Sequence, residues 1–201
     1  MKIVGMDTSY QYLNIALLDE GYVDGCMVSC FKQQSEWMIP KWKELMDRNG
    51  WNPKEIDGIV VTQGPGSYTG VRIAMTVAKM VASSIGCKLY TVSSLQLLAG
   101  NCDHAIAVMD ARGKRAYVGE YKNGKAMKED CILTLEELQA YVNANPDVTV
   151  VGDGHLVGKE DVFGNMPKQF DLLRSEWKEV TDIDDLCPKY LKDNDEYLVN
   201  V

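Results

Sequence analysis

The pattern of apolar and polar positions divides the chain into short strands and two long helices. Lys2 to Asp7 is an apolar run closed by an acid, and apolar runs follow at Tyr12 to Leu18 and Tyr22 to Phe31, with Glu20-Gly21 between them. Runs of this length, bounded by glycine and acidic residues, predict a three-stranded meander. The period then changes. From Ser35 to Arg48 the apolar residues Trp37, Met38, Ile39, Trp42, Leu45 and Met46 recur at helical spacing; Ser35-Glu36 opens the segment, Pro40 falls within its first two turns, and Asn49-Gly50 stops it. Ile59-Val60-Val61 predicts a buried strand. Gly70 to Ile85 predicts a second helix, with Ala74, Ala78 and Ala82 along one face and Ile73, Val77, Met80 and Val81 beside it. Small residues four apart let another helix approach closely.

The opening pattern returns. Ile3-Val4-Gly5-Met6-Asp7 matches Ile106-Ala107-Val108-Met109-Asp110 at an offset of 103 residues, and Gly21 matches Gly124 at the same offset. Ile59-Val60-Val61 followed by Gly64-Pro65-Gly66 resembles Val148-Thr149-Val150-Val151 followed by Gly152-Asp153-Gly154. Self-similarity of this kind points to an internal duplication. The second copy predicts strands at Ala105 to Asp110, Ala116 to Tyr121 and Ala126 to Leu133, a helix over Leu135 to Asn143 and a strand ending at Val151. This places a complete half in residues 1–102 and an abbreviated one in 103–201, with no helix between Met166 and Asp182. The run from Glu176 to Glu196 holds eight acids against Lys178, Lys189 and Lys192, and reads as a solvated surface without a site.

Composition narrows the class. With 201 residues, 46% hydrophobic and 25% charged, the chain is an ordinary globular protein with enough core to need no disulfide. Twenty-one basic against 29 acidic residues, a net charge of −8, disfavour a direct grip on a polyanion. Asp7 stands where a signal peptide would need apolar residues, and the apolar window from Leu89 to Cys102 is too short and too polar to span a bilayer, so a cytoplasmic chain without a membrane partner is expected. The six cysteines contain no C-x-x-C pair, which argues for reduced thiols rather than a zinc ribbon or a redox dithiol.

The conspicuous segment is Gln63 to Arg72, a glycine-rich loop between a buried strand and a helix. Such loops bind phosphates through backbone amides. This one lacks the Gly-Lys-Ser/Thr of a Walker loop, and Gly70 comes one residue too late for the dinucleotide fingerprint, so a tight turn for close packing is the competing reading. Asp7 and Asp110 each end the first strand of a half. Together with Thr8, Gly64, Gly66, Gly152 and Gly154 they define the expected nucleotide or anion cleft, where Mg²⁺ would suit the paired carboxylates; the alternative is that both acids cap local turns. His104 and His155 are the only histidines and lie far apart, and no G-x-S-x-G elbow exists, so no metal site and no catalytic residue is assigned.

The stretch from Asp57 to Leu98, with GPGSYTGVRI and TVSSLQLLA, resembles the TsaB (YeaZ-type) family, the non-catalytic subunit of the bacterial machinery that makes threonylcarbamoyladenosine in tRNA. Further matches are MDTS near the start, SEWMIP at the first helix, MDARGKRAYVGEY in the second half, VVGDG and CPKYLK, so the resemblance covers nearly the whole chain. It implies an α/β fold of the actin, sugar kinase and Hsp70 (ASKHA) type, a duplication of ribonuclease H-like domains with mixed sheets. The family is similar to the catalytic TsaD-type subunit but lacks its metal-binding H-x-x-x-H, which is absent here too. Two departures stand out: Gln34 precedes Ser35-Glu36 where the family often has histidine, and the second half is shortened.

The resemblance also implies a homodimer, pairing with a TsaD-type paralogue through the first two helices, a TsaE-type ATPase joining that pair, ATP and Mg²⁺ only in the complex, and tRNA met only indirectly. Carried to this chain, the interface would comprise Met38, Trp42, Leu45 and Met46, with Met38 and Trp42 as anchors, and a groove of Ala74, Val77, Ala78, Val81 and Ala82. A charge at Ala78 is then expected to abolish pairing and spare the fold. The rival expectation is an independent Mg-ATP-dependent small-molecule kinase or ATPase using Asp7, Asp110 and the glycine loops. A glycoprotease finds neither zinc ligands nor a nucleophile.

Overall fold

The computed structural model describes residues 1–30 and 32–192; Phe31, at the end of the predicted third strand, and residues 193–201, the last part of the acidic run, lie outside them. In chain order the first elements are β1 (Ile3–Asp7), β2 (Tyr12–Leu18), β3 (Tyr22–Ser29), α1 (Gln34–Arg48), β4 (Gly58–Thr62), α2 (Tyr68–Ile85), β5 (Lys88–Val92) and α3 (Ser94–Ala99). Then come β6 (Ala105–Asp110), β7 (Arg115–Lys122), β8 (Lys125–Ala126), β9 (Cys131–Thr134), α4 (Leu135–Ala144), β10 (Thr149–Gly152), α5 (Met166–Leu172) and β11 (Lys178–Glu179).

Two mixed sheets result. The first runs β11-β5-β4-β1-β2-β3; the second runs β10-β6-β7-β8, with β9 also on β7. In the first, β1 is antiparallel to β2 and parallel to β4; in the second, β6 is antiparallel to β7 and parallel to β10. The 103-residue offset is thus a repeat of topology, with α1 and α4 in equivalent crossovers. The second half has no counterpart of α2 and β5 among the described residues.

The layers follow from strands buried on both faces, which read as near-continuous apolar runs. Val4 and Met6 of β1 face α1 and α2 in one cluster, while Ile3 faces a central cluster shared with α3, β6 and Phe170 of α5. Ile106 and Val108 of β6 face α4 through Leu138 and Val142. Phe170 lies so close over Gly5 that a Cβ there would stand 2.6 Å from the ring. Local signals set the helix ends: the Ser67 hydroxyl caps α2, Gly86 ends it in the left-handed conformation, and Thr134 with Glu137 forms a capping box on α4.

Three expectations need correction. A helix, α5, does stand after Met166; it is only seven residues long, with an Asn165 cap and Pro167 in its first turn. It packs on β2 and β3, and β11 pairs with β5, so the chain returns to the first sheet and the boundary at 102/103 does not assign the whole remainder to the second half. The predicted strand from Ala126 to Leu133 is two strands, each antiparallel to β7.

Candidate functional site

β1 and β6 end at a cleft between the halves. Asp7 is buried and accepts hydrogen bonds from the Ser9 amide (3.0 Å), Asn14 Nδ2 (2.8 Å) and Thr62 Oγ1 (2.6 Å), so both of its oxygens are engaged. The turn after it fills the glycine-rich loop. The Ser67 amide donates to the Ser9 carbonyl at 2.7 Å, and a Cβ at Gly66 or Gly70 would strike the Ser9 or Thr8 carbonyl. Thr8 Oγ1 donates to the Gly70 carbonyl (2.6 Å) and accepts from the Ala74 amide (3.0 Å). Gly64 packs under the Lys189 carbonyl, Gly152 against Val108 and Gly154 against Glu160. These glycines therefore serve close packing. The residues predicted for a Mg-nucleotide are largely engaged within the protein: the amides of Ser67, Gly70 and Val71 are committed to Ser9, to the Ser67 hydroxyl and to the Ser67 carbonyl, and the buried Asp7 carboxylate already accepts three hydrogen bonds.

Asp110 differs. It is exposed, accepts from the Arg112 amide at 2.7 Å, and donates its own amide to Asp153 Oδ2 at 2.7 Å. Asp153 also accepts the Tyr10 hydroxyl and so links the first turn of one half to the last strand of the other. Burial pushes the Asp153 carboxyl above its ordinary value, with the Tyr10 and Asp110 bonds opposing; burial and the facing carboxylate push the Tyr10 phenol well up. Asp153, His155 and Asp161 bring ligand atoms within 4.8 Å of one another. His155 Nδ1 lies 2.8 Å from Asp161 Oδ1, and Asp161 raises the imidazole, so an ion pair accounts for two of the three. Sequence reading named Gly152 and Gly154 but passed over Asp153 between them.

Above this floor is a cavity of about 470 Å³, with Lys32, Gln34, Tyr68, Asp110, Arg112 and Lys192 in its walls. A second, shallower groove of about 430 Å³ runs between α1 and α2, lined by Met38, Ile39, Tyr68, Arg72, Ile73 and Val77. Ile39 in its wall is 46% exposed, and elsewhere on the same two helices Trp37 is 42% and Met80 58% exposed.

The family model described as TsaD, tRNA N6-adenosine threonylcarbamoyltransferase, matches residues 29–156. The tRNA threonylcarbamoyladenosine biosynthesis protein TsaB of Bacillus subtilis is 32% identical over 217 aligned positions, covering 96% of this chain and 94% of its own length. The chain belongs to the TsaB (YeaZ-type) family. The protein of the same name from Escherichia coli is 27% identical over 61% of this chain and 55% of its own. YeaZ from Pseudomonas aeruginosa superposes with a TM-score of 0.79 over 94% of this chain and 99% of its own, at 24% identity. Its fold, together with the mixed sheets, is the ASKHA arrangement of ribonuclease H-like halves that the resemblance implied.

Within this TsaB-family fold the expected interface must be redrawn. Met38, Trp42, Leu45, Met46, Ala74, Ala78 and Ala82 are all buried, packed with Val4, Met6, Ile59 and Val61 of the first sheet. The alanine stripe lets α2 lie close on β4, and a charge at Ala78 would enter this core and unfold it rather than act on pairing. Val77 and Val81 are half-buried and border the outer face. The exposed apolar side chains of α1 and α2 are instead Trp37, Ile39 and Met80, which lie off the buried stripe, with Ile73 half-buried. None of the described helices is long and apolar enough to cross a membrane.

Proposed function

We propose that this chain serves tRNA threonylcarbamoyladenosine biosynthesis as a cytoplasmic, non-catalytic partner subunit. It pairs with a TsaD-type catalytic paralogue, self-associates as a homodimer, and is joined by a TsaE-type ATPase; ATP and Mg²⁺ belong to the complex, and tRNA is met only indirectly. The relatives named for this pathway supply the setting. The observation that carries the partner role is the outer surface of α1 and α2, where Ile39 stays exposed in the wall of an apolar groove and Trp37 and Met80 are exposed on the same helices. The buried Asp7, held by three hydrogen bonds, and the filled glycine loop support a subunit without chemistry of its own.

Size-exclusion chromatography with the purified TsaD-type paralogue tests this. Co-elution is expected, weakened roughly tenfold or more by Met80→Asp with Ile39→Asp, while the melting temperature stays near that of the parent because both side chains face solvent. Absence of co-elution, or co-elution indifferent to these charges, would overturn the proposal. The rival kinase or ATPase reading predicts tight Mg-ATP binding by the isolated chain that Asp7→Asn abolishes.

A further inference from the structure

The loop that follows β10 brings an imidazole and two carboxylates together. Asp153, His155 and Asp161 each place one ligand atom within 4.8 Å of the other two. The ion pair explains why His155 meets Asp161, but it does not account for Asp153. That residue is 2% exposed, and both of its protein hydrogen bonds, from the Tyr10 hydroxyl and the Asp110 amide, fall on Oδ2. Oδ1 accepts none from the described residues. A carboxylate offers about four acceptor sites, and a buried one with an idle oxygen beside a second carboxylate calls for a water or an ion.

The backbone holds the three residues in place. Gly152 and Val162 exchange both backbone bonds, at 2.7 and 3.0 Å, and so close the loop at its base. Inside it the Lys159 amide donates to the Gly154 carbonyl at 3.0 Å, and the His155 amide donates to Asp161 Oδ1 at 2.9 Å. The local charge favours a cation, since Asp161, Asp153 and Asp110 all act on the one imidazole. His155 and Asp161 are exposed, which leaves an entry path and room for water on the outer side.

We infer that Asp153, His155 and Asp161 bind one divalent transition-metal ion, of the Mn²⁺ and Zn²⁺ class, through the imidazole and one oxygen of each carboxylate, with water completing the sphere. A nitrogen in the donor set selects such ions over Mg²⁺ and Ca²⁺, which take oxygen. Binding requires a neutral imidazole, so the proton that His155 shares with Asp161 leaves to solvent. Tyr10 and the Asp110 amide orient Asp153 from behind. Through Asp153 the ion fastens the loop to the link between the halves. The site goes beyond the partner role, lies on a different segment from the groove of α1 and α2, and is measured on the isolated chain, so its failure and that of the pairing proposal are separable.

Electron paramagnetic resonance with Mn²⁺, at mildly alkaline pH, counts bound ions directly, and the free cysteines compete poorly for this metal. One saturable ion per chain is expected. His155→Gln and Asp161→Asn should each weaken binding by about tenfold or more. Asp153→Asn, which keeps an oxygen for Tyr10 and the Asp110 amide, should do the same. His104→Gln, at the other histidine, paired with Glu120, should leave binding within about twofold. Mn²⁺ should raise the melting temperature of the parent but not of His155→Gln. If Asp153→Asn fails to fold, the two exposed variants still decide the matter. No saturable Mn²⁺ signal, binding unchanged in His155→Gln or Asp161→Asn, or Ca²⁺ and Mg²⁺ displacing Mn²⁺ at equal concentration would each overturn the inference.

Discussion

β1 and β6 hold the same place in their sheets, each antiparallel to the strand that follows and parallel to one contributed later, yet the aspartates that end them have opposite surroundings. Asp7 lies beneath a turn that plugs the glycine loop, with α2 sealing the sheet behind it. Asp110 is exposed at the end of its strand, where the second half supplies no such helix among the described residues and the turn that follows carries Arg112 into solvent. Duplication preserved the pairing and released one copy from packing. The first copy of the aspartate is closed in by packing, and the second ends at an exposed turn.

The largest expected effect tests that contrast at the two aspartates. Asp7→Ala leaves the Ser9 amide, Asn14 and Thr62 without their acceptor in a site closed to water, which should cost about 3–5 kcal/mol. Asp110→Ala removes one exposed turn bond and should cost about 1 kcal/mol or less. Urea denaturation of the two variants checks both. Equal costs would mean that the halves are not differentiated as argued.

The repeat was legible because its signal is short-range: an apolar strand closed by an acid, then a hairpin glycine, then a strand entering Gly-x-Gly. The buried face of α1 was legible too, although the wrong face was assigned to a partner. Met38, Trp42, Leu45 and Met46 follow the i, i+4, i+7, i+8 stripe of a core-facing helix, while Trp37 and Ile39 fall beside it. Large size made Trp42 look like an anchor, but position on the stripe decides burial. Helix α5 gave too little periodicity to read in seven residues. The Asp153 link was beyond local pattern, since its partner Tyr10 lies 143 residues away.

A middle-sized effect concerns the glycines. Gly66→Ala places a methyl group against the Ser9 carbonyl, part of a buried backbone that cannot yield, and should cost about 2–3 kcal/mol. Gly113→Ala, in the second-half turn, meets nothing within 4 Å and pays only for φ 63°, about 1 kcal/mol. Thermal melts of the pair would sharpen the distinction between a plugged loop and an open one. A Gly113 variant as damaged as the Gly66 variant would remove it.

The smallest effect compares the ties that hold α1 and α4 to their sheets. In the first half Arg48 grips Asp24 through Nε (2.6 Å) and a second nitrogen (2.8 Å), with Asn49 assisting, and these bonds hold the Asp24 carboxyl down to about 2. In the second half burial raises Glu120, but hydrogen bonds from Tyr141 and His104 outweigh it and leave the carboxyl below its ordinary value. Both groups prefer the ionised form when folded, so each adds stability above its unfolded pKa, near 4, and loses it as the pH falls through the folded value. For Asp24 the loss falls between about pH 4 and 2 and should amount to about 1 kcal/mol after allowance for solvent screening. Acid titration of unfolding stability should therefore be flatter in Asp24→Asn than in the parent over this window. Glu120→Gln should flatten it less, because desolvation already offsets part of what its partners contribute. An acid limb unchanged by Asp24→Asn would show that the Arg48 grip does not survive in solution and that α1 is held by its buried stripe alone.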